Sequence, residues 1–286
     1  MNKLEELKKE YESINASEEF KKEIRKTIKK MKGFGVMLKR TVGIAAGMAA
    51  AFVVTLNCVP SLAVAASDVP VLGSVVKVVT MGRFEFKDKG YEAVVEAPKI
   101  EGLLDKDLEN KLNKEFKENA EAVIAAFEKD VKEIKDEFGD QEVHYGVDAD
   151  YAIKTDNEDI LAIDTYIVNF AGSSSTKHSF YNIDKKSGRL LELKDMFKEG
   201  VDYITPVSDY IAEEMKRRNE EEEGMFWVGK QEEGFDGFEK IKEDQNFYIN
   251  DSGSIVICFD KYEVAAGAQG CPEFEIPKSV VEGINK

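Results

Sequence analysis

Hydrophobic residues recur with three different rhythms along this 286-residue chain. The first is helical. Leu4, Leu7, Tyr11 and Ile14 fall on one stripe at spacings of three and four. Ser17 is suited to cap a second helix, with Glu18 and Glu19 in the first turn where the helix dipole favours anions. Phe20, Ile24, Ile28 and Met31 then form a second stripe, and Gly33 and Gly35 end it. The second rhythm is continuous: Thr41 to Ala66 is 26 residues without a charged side chain. As one helix it would be about 39 Å long, enough for a hydrocarbon core of roughly 30 Å, although Pro60 ends the regular part. Ala and Gly dominate the run and Asn57 lies inside it, so the span is a weak one.

Beyond Asp68 the pattern is mixed. Val69–Val79 reads as an apolar stalk whose end starts a first strand, and Tyr91–Ala97 reads as a second. Asp105 opens the longest helix and Gly139 closes it, with Leu108, Leu112, Phe116, Ala120, Val123, Ile124, Phe127, Val131 and Ile134 on a stripe predicted to be buried. The period then changes to two at Val143, Tyr145, Val147, Ala149, Tyr151 and Ile153. Further strands are predicted over Ile160–Phe170, Ser179–Ile183 and Leu190–Leu193, with Ser173–Ser175 as a serine-rich loop. Short helices follow near Asp195–Phe197 and Asp202–Arg218, then Glu220–Glu223 as a solvated acidic loop. Asn246–Asn250 and Ser254–Phe259 make a hairpin across Asp251-Ser252-Gly253, and Phe274 and Ile276 a last short strand. Strands and helices mixed without βαβ regularity predict an α+β class with largely antiparallel pairing.

Charge then orients the chain. Of 40 basic and 56 acidic residues, 12 and 7 lie in residues 1–41, and no basic residue follows Arg40 until Lys77. That asymmetry places the N-terminus in the cytoplasm and the C-terminal part outside a cell membrane crossed once. The chain divides into a cytoplasmic helical segment (1–38), a transmembrane helix (41–66) and an extracellular domain (67–286), with lobes at about 80–170 and 171–286. The outer part holds 28 basic and 49 acidic residues, a net charge of −21, which repels nucleic acid and anionic wall polymers and attracts cationic partners. Ala63, Ala65 and Ala66 form a small-residue processing site, although a forty-residue leading segment is far too long for an ordinary cleaved signal. The two N-terminal stripes need a cover. A protein partner is favoured over the membrane surface by the glutamates interleaved in the first.

Catalytic signals are close to nil. The two histidines, His144 and His178, have no neighbour at metal-ligand spacing, and phosphate-binding and nucleophile-elbow motifs are missing. Neither metal nor cofactor is expected, and no enzyme activity. Three cysteines make no disulfide framework, although Cys258 and Cys271 lie thirteen positions apart and could pair.

Certain runs are familiar. Phe180-Tyr181-Asn182-Ile183-Asp184 with Ser187-Gly188, Leu193-Lys194-Asp195-Met196-Phe197, Phe259-Asp260-Lys261-Tyr262-Glu263-Val264-Ala265 and Phe274-Glu275-Ile276-Pro277 resemble a widespread extracellular module of Gram-positive bacteria. That module also occurs beside peptidoglycan deacetylase domains. Leu7-Lys8-Lys9-Glu10-Tyr11 with Ile14, then Glu19-Phe20, resembles the cytoplasmic start of membrane anti-sigma factors that hold the extracytoplasmic-function factor sigma V and serve as lysozyme receptors. The resemblance covers the whole chain in order. It departs at Ala266-Gly267-Ala268, where family members often carry a proline and an aromatic residue.

The resemblance implies that Leu4, Leu7, Tyr11, Ile14, Phe20, Ile24 and Ile28 sequester the sigma factor. It implies that Ser173, Ser174 and Ser175, with Ala266, Gly267, Ala268 and Gly270, are loops that meet lysozyme. Signal peptidase would then cut at Ala63–Ala66, and a site-2 intramembrane protease would cut the remaining stub and release the factor. The alternative is a membrane-anchored wall-binding or wall-modifying protein.

Overall fold

The computed structural model describes residues 76–139, 141, 143–229 and 237–286, all within one compact unit. The uncharged run 41–66, expected to cross a membrane, and the N-terminal stripes lie outside these residues. Among the described residues no helix is long and apolar enough to cross a membrane.

The class is α+β. A six-stranded sheet is built from β1 (Lys77–Asp88), β2 (Tyr91–Glu101), β3 (Tyr145–Asp156), β4 (Ile160–Ala171), β5 (Ser173–Asp184) and β6 (Arg189–Leu191), side by side in chain order. Only the β2–β3 pair is parallel, and α1 (Lys106–Phe138) makes the crossover between them. That single βαβ unit was not expected. A half-buried alternating strand reads the same whichever way its neighbour runs.

α1 begins where expected: the Asp105 side chain accepts from the backbone N–H of Asp107 and Leu108, and Gly139 follows the last turn at φ 60°. Its apolar stripe packs on one face of the sheet. Phe116 meets Tyr181 edge-on at 4.9 Å, and Phe127 lies against Phe86 and Tyr145. We call this the near face.

Three boundaries differ from the sequence reading. β2 runs to Glu101 rather than ending at Ala97, and it pairs with a β1 kinked by a bulge between Thr80 and Gly82. β5 begins at Ser173, so Ser173–Ser175 are strand residues and not a loop. Serine is a poor strand former, but β4 supplies a ready template, pairing Ala171 with Ser173, and Gly172 at φ 75° reverses the chain. Glu220 and Glu221 continue α2 (Ile204–Glu221), because Arg217 lies i+3 from Glu214 and four before Glu221 and bonds both. Leu193–Met196 is a short 3-10 turn.

The second sheet, β7 (Phe247–Ile249), β8 (Ile255–Cys258) and β9 (Glu273–Glu275), is antiparallel throughout. With α2 it encloses a second core around Phe274, Ile211 and Met215. It meets the far face of the large sheet at one end. There Asn182, 1% exposed, donates to Phe247 O at 2.9 Å and accepts from Ile249 N at 3.0 Å. Thr155 donates to Ile249 O at 2.7 Å, and Phe180 stacks on Tyr248. Cys258 and Cys271 are free thiols, so the pairing left open by their spacing is not made.

Candidate functional site

The chain between β8 and β9, residues 259–272, leaves the second sheet and returns to it, closed at its base by Phe259 N donating to Pro272 O. Two buried residues anchor its middle. Val264 O accepts from Trp227 N at 2.9 Å, and Ala265, 1% exposed, bridges Phe226. Everything before that anchor is drawn onto the uncovered edge of β5. Asp260 accepts from His178 N at 2.8 Å, Lys261 N donates to Thr176 O at 3.2 Å, and the Lys261 ammonium donates to Ser174 Oγ at 2.7 Å. Asn246 continues the same edge, donating to His178 O. The Asp260 carboxyl is held above the usual carboxylate range, chiefly by burial and secondarily by Glu263, against the opposing His178 N–H.

Tyr262 follows in the left-handed region at φ 70°, with 45% of its surface exposed. An L-residue held there costs on the order of 1 kcal/mol or more, so its surroundings must fix it. They do. Its hydroxyl is 3.0 Å from Ser173 Oγ, and its ring lies so close to Gly267 that a Cβ added there would fall 2.4 Å from it. Gly267 opens the short 3-10 turn Gly267–Gln269, and Gly270 ends it at φ 67°.

The structure therefore brings Ser173 and Ser174 together with Gly267 on one surface, through Lys261 and Tyr262. Ser175 lies exposed on β5, and Ala268 is exposed at the centre of the 3-10 turn. Ala266 is half-buried, its N–H spent on Met225 O. Tyr262 and Lys261 were missed as site residues by sequence reasoning. The only signal was a lysine and an aromatic side by side in a polar turn between a strand and a glycine. The stripe residues Leu4, Leu7, Tyr11, Ile14, Phe20, Ile24 and Ile28, and the processing residues Ala63, Ala65 and Ala66, lie outside the described residues.

A serine–histidine pair does not form. Ser174 is four residues from His178 on an extended strand, about 13 Å, and its hydroxyl is held by Lys261. The His178 ring instead bonds buried Asp164, Nδ1 lying 2.9 Å from Oδ1. Among the described residues no group of three or more His, Cys, Asp or Glu is placed to hold a metal. On the near side, a cavity of about 570 Å³ opens between α1 and the sheet, bounded by Val123, Phe127, Val147 and Ile167. The tip as built displays an exposed aromatic side chain on a turn held by Ser173 and Gly267, a geometry suited to contact with another molecule.

Aligned over 285 residues, the chain is 32% identical to the anti-sigma-V factor RsiV of Bacillus subtilis (strain 168), with 99% of this chain and 96% of that protein covered. The chain belongs to the anti-sigma-V factor RsiV family. Two shorter matches fall within it. Residues 194–279 match the family described as protein of unknown function (DUF3298), and residues 85–174 match the family described as Deacetylase PdaC. Over 182 residues the chain is 28% identical to the peptidoglycan-N-acetylmuramic acid deacetylase PdaC of B. subtilis, covering 62% of this chain but 36% of that protein. Among solved structures, a DUF3298 family member from Bacteroides fragilis NCTC 9343 shares the fold at a TM-score of 0.52 and 16% identity, covering 74% of this chain and 94% of that one.

Proposed function

We propose that this chain is a single-pass membrane anti-sigma factor that holds an extracytoplasmic-function sigma factor, of the sigma V kind, and releases it by regulated proteolysis when its outer domain binds lysozyme. Membership of the RsiV family supports the anti-sigma part. The observation that carries the receptor part is the tip, where β5 residues Ser173 and Ser174 support an exposed, conformationally fixed Tyr262. The net charge of −21 on residues 67–286 steers a cationic protein toward it. Bound lysozyme exposes Ala63–Ala66 to signal peptidase, and the weak Ala- and Gly-rich span is then cut within the membrane by a site-2 protease.

The test uses the full-length chain purified in detergent. Titration with lysozyme should give saturable binding that Tyr262→Ala weakens at least tenfold, and no binding by the unaltered chain overturns the receptor reading. In cells, deleting residues 1–35 should leave a sigma-dependent reporter permanently on. Ala65→Trp with Ala66→Trp should keep it off in the presence of lysozyme.

A second reading, a membrane-anchored wall-binding or wall-modifying protein, is favoured by the match of residues 85–174 to the Deacetylase PdaC family. It predicts retention on purified cell walls and an unchanged reporter on removal of residues 1–35.

A further inference from the structure

The far face of the six-stranded sheet is covered at one end and open at the other. Where the second sheet lies on it, Asn182, Thr155 and Asp164 are 4% exposed or less. Toward the hairpin tip the same face is half-open, and strand register states what stands there. Asp148 faces Val94 on one side and Val168 on the other, and Asp150 faces Tyr166. Glu96 lies two residues on from Val94, beside Asp150. Tyr166 in turn faces His178, and Val168 faces Thr176. Residues paired across strands share a face, so this is one continuous surface. The Phe170 ring closes its upper edge, lying where a Cβ on Gly146 would be 2.2 Å away.

Its chemistry is predominantly acidic, with Arg83 the cation at its border. Register places Asp150 opposite the half-buried Tyr166 ring, with Asp148 diagonal to it and Asp164 two residues away on the same strand. Burial, together with these carboxylates and Glu96, pushes the Tyr166 hydroxyl's ionisation upward. Asp148 is itself held above the usual carboxylate range by desolvation and by Asp150, against the pull of Arg83. Arg83 is already bound to Glu96 and lies 3.8 Å from Glu85. A ring flanked by carboxylates and bordered by Val94 and Val168 fits a guanidinium or ammonium group, which stacks on the ring and pairs with the acids. The face is also continuous with the tip, because Ser174, which holds Lys261, is paired with Phe170.

We infer that this open half of the far face, centred on Tyr166 between Asp148, Asp150 and Glu96, is a second contact surface for the cationic protein that meets Tyr262, taking basic side chains beside the tip. The inference rests on the receptor reading, and it commits the surface to that same partner.

Full-length Asp148→Asn with Asp150→Asn, in detergent, should fold with an unchanged melting temperature and bind lysozyme about tenfold more weakly at low salt. The deficit should vanish near 1 M salt, where the screening length is about 3 Å. Asp136→Asn with Glu137→Gln removes the same charge from the exposed end of α1 and should change affinity little. Tyr166→Leu should weaken binding at both salt concentrations. If the unaltered chain does not bind lysozyme, the receptor reading falls and takes this surface with it. If it binds and the Asp148/Asp150 variant binds equally well, or the α1 variant is weakened as much, only this surface is overturned. A dimer of the unaltered chain that the Asp148/Asp150 substitutions dissociate would assign the face to a second copy and overturn it also.

Discussion

The near face of the large sheet meets α1 through Leu112, Phe116, Ile124 and Phe127, each 3% exposed or less, whereas the far face meets the second sheet through Asn182 and Thr155. The first junction is apolar and non-directional, with a strength that grows with the area removed from water. The second is directional. Side chains of one sheet satisfy backbone groups of another, with little net stabilisation while intact and a large penalty when one partner is removed. One junction fixes how stable the domain is. The other fixes where the second sheet sits, and with it the loop that carries Tyr262.

Four changes probe that contrast. Phe127→Ala, which empties the centre of the near face, should cost about 3–5 kcal/mol in urea unfolding. A loss below 1 kcal/mol would mean that α1 is not the principal seal. Asn182→Ala orphans Phe247 O and Ile249 N together and should cost about 2–3 kcal/mol. Its signature is local: amide exchange at Ile249 should accelerate more than at Ile163 on the near face. Tyr262→Gly removes a left-handed side chain along with its bond to Ser173, so stability should stay level or rise by up to about 1 kcal/mol, while lysozyme binding is lost. A variant that is clearly destabilised would show that the tyrosine holds the loop rather than being displayed by it.

The smallest effect is in acid. Glu214 is held down to about 2, first by its hydrogen bond from Arg217 and then by Arg218, against desolvation. A carboxylate with a depressed folded-state pKa contributes stability that is complete above its ordinary value near 4.5 and is lost as pH falls toward 2. Glu214→Gln should flatten the stability profile in that window and leave it unchanged at pH 7. Exposure of Arg217 keeps the change modest.

What could be read from the sequence followed from local pattern. α1 was legible from cap to cap because Asp105, the stripe and Gly139 all act within one helix. The β7–β8 hairpin was legible because Asn250, Asp251 and Gly253 specify the turn in place. The start of β5 was hidden, since three serines signal loop and only β4, arriving from earlier in the chain, makes them strand. The candidate site was half legible for the same reason. Ser173–Ser175 and Ala266–Gly270 stood out separately, but their junction passes through Tyr262 and Lys261, nearly ninety positions beyond the serines. The acidic far face was invisible, because Glu96, Asp148, Asp150 and Tyr166 become neighbours only through strand register.

Among the described residues β1 stands at the margin of the large sheet, with β2 on one side only. A strand so placed offers a free row of backbone donors and acceptors, on which another polypeptide could continue the pairing. Here an approaching chain meets the kink at Thr80–Gly82 and then exposed Arg83, Glu85 and Lys87. The kink spoils the register that continued pairing needs, and the charges repel or desolvate poorly against most neighbours. A border strand carrying a bulge and charges has the features that oppose edge-to-edge growth.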